Sequence, residues 1–336
     1  MLFRSVGVNS GCANACTGET GLANAREMAR VTAEALGIDE RLVLVCSTGV
    51  IGVNLPMDRI AAGARLAAGA LSREGSDDAA HAIMTTDTVD KQVAVELEID
   101  GKTVCIGGMC KGSGMIEPNM ATMLGFVTTD AAVHPKALDQ ALREAVEVSF
   151  NRVVVDGDRS TNDTVILMAS GTAGNVVLTP YHPQWQYFVD ALMTVCLELG
   201  KKMVLDGEGA TKFVTVRVAG ARTDEDAQKA ARAVSKSALV KTSWFGLDPN
   251  WGRVIAAVGY SGADVDDQKA QIYYGDVCAY DKGRVADAGL LKTMQDVMRR
   301  RAFDVTVNLN LGNGADTVYT CDFSYDYVKI NAEYTT

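Results

Sequence analysis

Apolar and polar positions alternate strictly at Val93, Val95, Leu97 and Ile99, and again at Val104 and Ile106, with Asp100-Gly101 between the two runs. Side chains on a strand point to opposite faces in turn, and Asp-Gly accepts the positive φ of a type I′ turn, so this stretch predicts a β-hairpin. The spacing changes at Leu22, Ala25, Met28-Ala29, Ala33 and Leu36. That is the period of a helix face, and Gly37 suits its C-terminal cap. Val6-Gly-Val8 reads as a strand end running into a small, polar loop from Asn9 to Thr20. Leu42-Val-Leu-Val45 and Val165-Ile-Leu-Met168 are short apolar runs of the kind that form buried strands. Pro56 opens an alanine-rich helix to about Leu71.

Further helices are predicted over Pro135 to Phe150, Pro183 to Met203 and Asp224 to Leu239, with a strand over Phe213 to Val218. The C-terminal third is strand-rich: Val305 to Leu311 and Thr317 to Phe323 alternate on either side of Leu311-Gly-Asn-Gly-Ala315. Helices and strands interleave throughout, which predicts an α/β or mixed α+β fold of layered sheets. No fixed-period repeat, low-complexity segment or Pro/Gly/Ser-rich linker divides the 336 residues.

Composition narrows the function classes. Hydrophobic content of 48% and charged content of 22% describe a globular chain with ample material for a core. A net charge of −10 and a pI of about 4.9 argue against nucleic acid as the main partner, because phosphate binding needs a clustered basic surface. Arg299-Arg300-Arg301 reads as a solvated helix end, where the dipole favours cations. No run of about 18 apolar residues predicts a membrane span. The eight cysteines form no Cys-x-x-Cys pair, and with only His81, His134 and His182 beside them no metal site is expected. Reduced, buried thiols in a cytoplasmic protein are the expectation.

Several familiar patterns fail when read against the chemistry they need. Gly101-Lys-Thr103 lacks the glycine a phosphate loop requires five positions earlier, where Glu96 stands. Asp156-Gly-Asp-Arg-Ser160 starts like a calcium loop but has Thr161 and Leu167 where glycine and glutamate belong. Gly112-Ser-Gly114 lacks the third glycine of a dinucleotide fingerprint, and no Gly-x-Ser-x-Gly elbow occurs.

Six loops rich in hydroxyls, glycines and amides remain: 9–18, 47–49, 84–87, 111–124, 156–163 and 206–212. Taken singly, each is a turn with capping side chains. Taken together, several of them directly after strands, they mark where chemistry is usually placed. The chemistry they suit is acyl transfer through a threonine. An N-terminal threonine carries its own base, since a free α-amino group titrates near pH 7.7–8.0. A glycine-bearing loop such as Ser47-Thr-Gly49 supplies unhindered amides for an oxyanion. From local pattern alone, however, Thr48-Gly49 is a strand-end turn, Lys111 a solvated loop lysine and Glu208 a turn carboxylate.

Longer runs carry a resemblance. Lys111-Gly-Ser-Gly-Met-Ile with Met120-Ala-Thr-Met-Leu124, Asp156-Gly-Asp-Arg-Ser-Thr-Asn-Asp163, Pro249-Asn-Trp-Gly-Arg253, Gly259-Tyr-Ser-Gly262 and Tyr325-Asp-Tyr-Val-Lys-Ile-Asn-Ala-Glu-Tyr-Thr-Thr336 stand in this order. In these runs the chain, from about Asn9 to Thr336, resembles the bifunctional ornithine acetyltransferases, or glutamate N-acetyltransferases, of arginine biosynthesis. The resemblance implies a self-cleaving fold whose N-terminal threonine is the nucleophile. Cleavage between Ala121 and Thr122 would give an α-chain of residues 1–121 and a β-chain of residues 122–336 within one intertwined catalytic unit. Thr122 would accept acetyl from N2-acetylornithine and pass it to glutamate in a ping-pong cycle. Thr48 and Gly49 would form the oxyanion hole, and Thr85, Lys111, Thr122, Glu208, Asn331 and Thr336 would contact substrate. A pocket with one lysine, one glutamate and small polar groups complements such zwitterions.

The resemblance also implies an α2β2 assembly, no bound cofactor, and cytoplasmic residence, or mitochondrial in a eukaryote. The family includes a transfer-only type and a bifunctional type that also draws acetyl from acetyl-CoA, and the sequence leaves both open. Members normally carry several dozen residues ahead of the Asn9 loop, and Cys12 stands where they usually have asparagine, so a chain shortened at its N-terminus is expected. Two other readings stand beside the acetyltransferase: a related N-terminal-nucleophile aminopeptidase or amidohydrolase, in which water takes the acyl group, and an inactive shortened subunit that needs a partner.

Overall fold

Val165, Ile166, Leu167 and Met168 form a strand without polar alternation because both of its faces are covered. Val165 and Leu167 join one core, and Ile166 and Met168 another on the opposite side of the same sheet. The computed structural model describes residues 4–117 and 123–334. Ala121, Thr122 and Thr336 therefore lie outside the described residues.

The first half of the chain runs β1 (Ser5–Cys12), α1 (Gly18–Leu36), β2 (Val43–Val50), α2 (Met57–Gly69), α3 (Ser76–Ala82), β3 (Lys91–Ile99), β4 (Lys102–Lys111), β5 (Leu124–Thr129) and α4 (Pro135–Val148). It continues through β6 (Val153–Val154), β7 (Thr164–Ala169) and α5 (Trp185–Leu205). β1 and β2 pair in parallel as a two-stranded sheet, and β3-β4-β5-β7 form a four-stranded sheet. The two sheets face one another across Cys46, Ile83, Leu124, Phe126 and Ile166. Met28 of α1 and Ile60 of α2 cover the outer face of the small sheet around Val45. Phe188, Leu192 and Leu199 of α5, with Ala141 and Ala145 of α4, cover the outer face of the larger one. The result is four layers, helix–sheet–sheet–helix, a mixed α/β arrangement as the interleaved pattern predicts.

The second half runs β8 (Phe213–Ala221), α6 (Asp224–Lys236), α7 (Ala238–Phe245), α8 (Trp251–Gly259), β9 (Gln271–Tyr274), β10 (Val277–Asp281) and β11 (Arg284–Val285). It ends with α9 (Leu291–Arg299), β12 (Ala302–Asn308), β13 (Gly314–Cys321) and α10 (Tyr325–Glu333). Its strands and β6 form a seven-stranded sheet in the order β11-β10-β9-β12-β8-β13-β6. α6 to α9 pack on this sheet around Trp244, Val254 and Met298. β6 joins the two halves: Val154 belongs to the core of the seven-stranded sheet, while its neighbours Val153 and Val155 belong to that of the four-layered half.

The hairpin forms as the alternation predicts, with Asp100 at φ 51° and Gly101 at φ 67° closing the Ile99–Lys102 pair. Gly37 caps α1 in the left-handed conformation at φ 65°. Two expectations need correction. The strand expected to end at Val8 continues to Cys12, because Asn9, Ser10 and Gly11 keep pairing with Ser47, Thr48 and Gly49. The helix expected from Asp224 to Leu239 breaks at Ser237, whose extended backbone and hydroxyl, accepting from the Val240 amide, start α7 afresh.

Candidate active site

The site forms where β2 and β4 end, between the two facing sheets. Strand alternation puts Thr48 on the face of Leu44 and Cys46, and Lys111 on the face of Met109, so both point into the gap. Lys111 Nζ donates to Thr85 Oγ1 at 2.7 Å and to Thr48 Oγ1 at 3.4 Å. Thr48 and Lys111 are each only 2% exposed, which corrects the reading of Lys111 as a solvated loop lysine. Gly49, the next residue, sits at φ 127° against Gly11 of β1. A Cβ there would lie 2.2 Å from the Gly11 carbonyl carbon and 2.6 Å from the Cys12 nitrogen, so only glycine lets the two strands approach this closely.

A buried charge network holds these groups. Lys91, fully buried at the start of β3, donates to Asp87 Oδ1 at 2.7 Å and to Asp206 Oδ2 at 2.6 Å. Asp87 also accepts from the amides of Gly112 (2.7 Å) and Thr85 (3.1 Å), and its Oδ2 lies 3.8 Å from Lys111 Nζ. Asp206 accepts from the amide and hydroxyl of Thr88. Burial pushes the Asp87 carboxyl upward, but Lys111 and Lys91 outweigh it and hold the group below its ordinary range. Burial depresses Lys91 as well, and Asp87 and Asp206 reverse that, leaving it raised. For Lys111 burial wins: its ammonium is depressed although Asp87 favours the charged form.

Glu208 follows two residues after Asp206, beyond the end of α5. Its amide donates to Ser113 O at 2.8 Å, and its carboxylate accepts from Asn331 Nδ2 of α10 at 2.9 Å. The carboxylate lies against Gly114, where a Cβ would be 2.4 Å from its carbon. α10 is seated by Ser324, which caps it and donates to Gly209 O at 2.6 Å. Thr48, Gly49, Thr85, Lys111 and Glu208 all line one cavity of about 50 Å³, with Met115, Asn162 and Tyr334 also on its wall. Glu208 is thus a buried cavity wall rather than a turn carboxylate at the surface. Hydroxyls, one ammonium and one carboxylate converging on one wall are groups that can orient a zwitterion and stabilise a developing oxyanion.

The loop from Asp156 to Asp163 holds both flanks of residues 118–122. Asp156 accepts from the amides of Met115 (2.6 Å) and Ile116 (2.9 Å). Asp163 accepts from the Met123 amide at 2.9 Å. Glu117 pairs with Arg159 at 3.0 Å and with Lys236 at 2.5 Å. Burial pushes Asp156 up to about 6, despite the amides that favour its anion, and Asp163 up to about 7.

Of the residues predicted to act, the structure brings Thr48, Gly49, Thr85, Lys111 and Glu208 to one cavity and ties Asn331 to Glu208. Thr122, Ala121 and Thr336 lie outside the described residues. Sequence reasoning missed the roles of Asp87, Lys91 and Asp206, although the loops bearing the two aspartates were singled out for their composition. Among the described residues, no cluster of three or more His, Cys, Asp or Glu is arranged to hold a metal, and no helix is long and apolar enough to cross a membrane.

Known proteins resemble the chain over nearly its whole length. Residues 2–336 match the model of the ArgJ family. The arginine biosynthesis bifunctional protein ArgJ of Symbiobacterium thermophilum is 54% identical over 342 residues, covering 99% of this chain and 83% of that protein. The protein of the same name from Geobacter sulfurreducens is also 54% identical, over 99% of this chain and 85% of its own length. The crystal structure of ArgJ from Bacillus halodurans superposes with a TM-score of 0.61 at 43% identity, over 63% of this chain and all of that one.

Proposed function

The chain belongs to the ArgJ family and is a glutamate N-acetyltransferase of arginine biosynthesis, and on that premise we propose how its residues do the work. The chain cuts itself between Ala121 and Thr122, leaving an α-chain of residues 1–121 and a β-chain of residues 122–336. The freed amino group of Thr122 then acts as base for its own hydroxyl, which attacks the acetyl carbonyl of N2-acetylornithine. The Thr48 hydroxyl and the Gly49 amide donate to the oxyanion. Ornithine leaves, glutamate enters the same cavity, and its amine takes the acetyl group from Thr122. Thr85, Lys111, Glu208, Asn331 and Thr336 contact the two amino acids, and no metal or bound cofactor takes part.

One observation carries this reading: the oxyanion pair, the lysine and the glutamate, which come from three separated stretches of sequence, converge on a single cavity. Met115 on that wall, and Asp163, which follows the wall residue Asn162 and accepts from the Met123 amide, support the reading, since Met115 and Met123 flank the proposed cleavage run. The solved Bacillus halodurans chain supports the cut, since it is matched over its full length by 63% of this chain, close to the share that follows Ala121. The bifunctional naming of the relatives supports a second reaction in which acetyl-CoA supplies the acetyl group. Assembly as α2β2 and residence in the cytoplasm complete the proposal.

The test is to incubate purified protein with N2-acetylornithine and glutamate and to quantify N-acetylglutamate and free acetate. Stoichiometric N-acetylglutamate that disappears in Thr122→Ala supports the reading. Acetate without N-acetylglutamate would instead identify a hydrolase.

A further inference from the structure

Asp87 touches the surroundings of Lys111 in three ways. Its Oδ2 lies 3.8 Å from Lys111 Nζ. Its Oδ1 accepts from the amide of Gly112, the residue that follows Lys111 in the chain. It also accepts from the amide of Thr85, whose hydroxyl receives a hydrogen bond from Lys111 Nζ. The carboxylate is itself immobilised, since Lys91 clamps it to Asp206 from behind. So rigid a setting is more than the neutralisation of one buried lysine requires, because Asp206 alone already pairs with Lys91.

We propose that Asp87 is a positioning residue for acetyl transfer, holding the Lys111 ammonium against the Thr48 hydroxyl so that Thr48 donates its own hydrogen into the cavity. A hydroxyl oxygen accepts on its lone pairs and donates one hydrogen. With Lys111 Nζ occupying a lone pair of Thr48 Oγ1, the Thr48 hydrogen is turned away from Lys111, toward the space where the oxyanion develops. The Lys111–Thr48 contact is polarising as well, because a charged donor makes the hydroxyl a stronger donor in turn. Asp87 is the nearest anion, and the other titratable groups acting on Lys111 are Lys91, Glu208 and Cys110.

The inference rests on the acetyl-transfer reading, so wild-type protein is assayed first; a wild type that makes no N-acetylglutamate sinks that reading and this inference with it. With an active wild type, kcat and KM of Asp87→Asn are measured against pH and normalised to the cleaved fraction found by mass. The expected result is a roughly 10- to 100-fold lower kcat and an alkaline limb displaced to lower pH, since Lys111 loses the anion that favours its charge. A folded Asp87→Asn whose alkaline limb coincides with the wild type overturns the inference, whatever its kcat. If Asp87→Asn does not fold, Asp87→Glu carries the test, since it keeps a carboxylate for Lys91 but moves it relative to Lys111: a lower kcat with a displaced alkaline limb supports the assignment, and a wild-type kcat and limb overturn it.

Discussion

Asp163 accepts a hydrogen bond from the Met123 amide at 2.9 Å, which fixes a carboxyl group one residue beyond Thr122. Burial pushes that carboxyl up to about 7. Below about pH 4 it is protonated in folded and unfolded chains alike. As pH rises from there to about 7, the unfolded chain ionises while the folded one resists, so this group makes stability fall across that window. Asp163→Asn keeps an acceptor for the Met123 amide and removes the titration. Thermal midpoints from pH 4 to 7 should fall less for the variant than for the wild type. Asp156, raised to about 6, titrates with the same sign in both proteins and cancels from the comparison. Equal slopes for the two proteins would contradict the assignment.

Gly49→Ala should unfold the edge of the site. The new Cβ would fall 2.2 Å from backbone of Gly11, at a φ of 127° that side chains rarely adopt. The strain alone is worth about 1–3 kcal/mol, and parting β1 from β2 adds to it. Denaturant unfolding should show at least that loss. Gly63→Ala is the control: it lies in α2 with nothing within 4 Å of the added carbon, and should be neutral or stabilising by a few tenths to about 1 kcal/mol. Equal stability of the two variants would show that the close approach of β1 and β2 does not matter.

Asn331→Ala removes the amide that holds the Glu208 carboxylate at 2.9 Å. A hydrogen bond to a charged group contributes about 1.5–3 kcal/mol, so kcat/KM for N2-acetylornithine should fall roughly 10- to 100-fold. The loss should fall mainly on KM if Glu208 binds substrate equally in ground and transition states. Steady-state kinetics decide; an unchanged kcat/KM would show that Asn331 and Glu208 do not act on the substrate.

What the sequence discloses of this molecule is what local physics controls. The β3–β4 hairpin is legible because alternation and Asp100-Gly101 suffice to specify it. β7 is legible because four apolar residues in a row need two covered faces. The break at Ser237 is not, because apolar spacing runs through it and a single cap decides. The site was legible only through family resemblance. Lys111 reads as solvated on its own, and it is buried because Asp87, 24 positions earlier, stands beside it. Lys91 gives no signal at all: one of its two carboxylate partners, Asp206, lies 115 residues away. Likewise Asp156 and Asp163 look like turn residues until the chain folds Met115, Ile116 and Met123 onto them.

On the reading proposed for this chain, one of its bonds breaks and the new N-terminus does the chemistry. Intact mass with N-terminal sequencing of the purified 35.7 kDa chain tests it most directly. Two polypeptides are expected, one beginning at Thr122, and a single uncut chain for Thr122→Ala. An uncut wild-type chain that still makes N-acetylglutamate would contradict it.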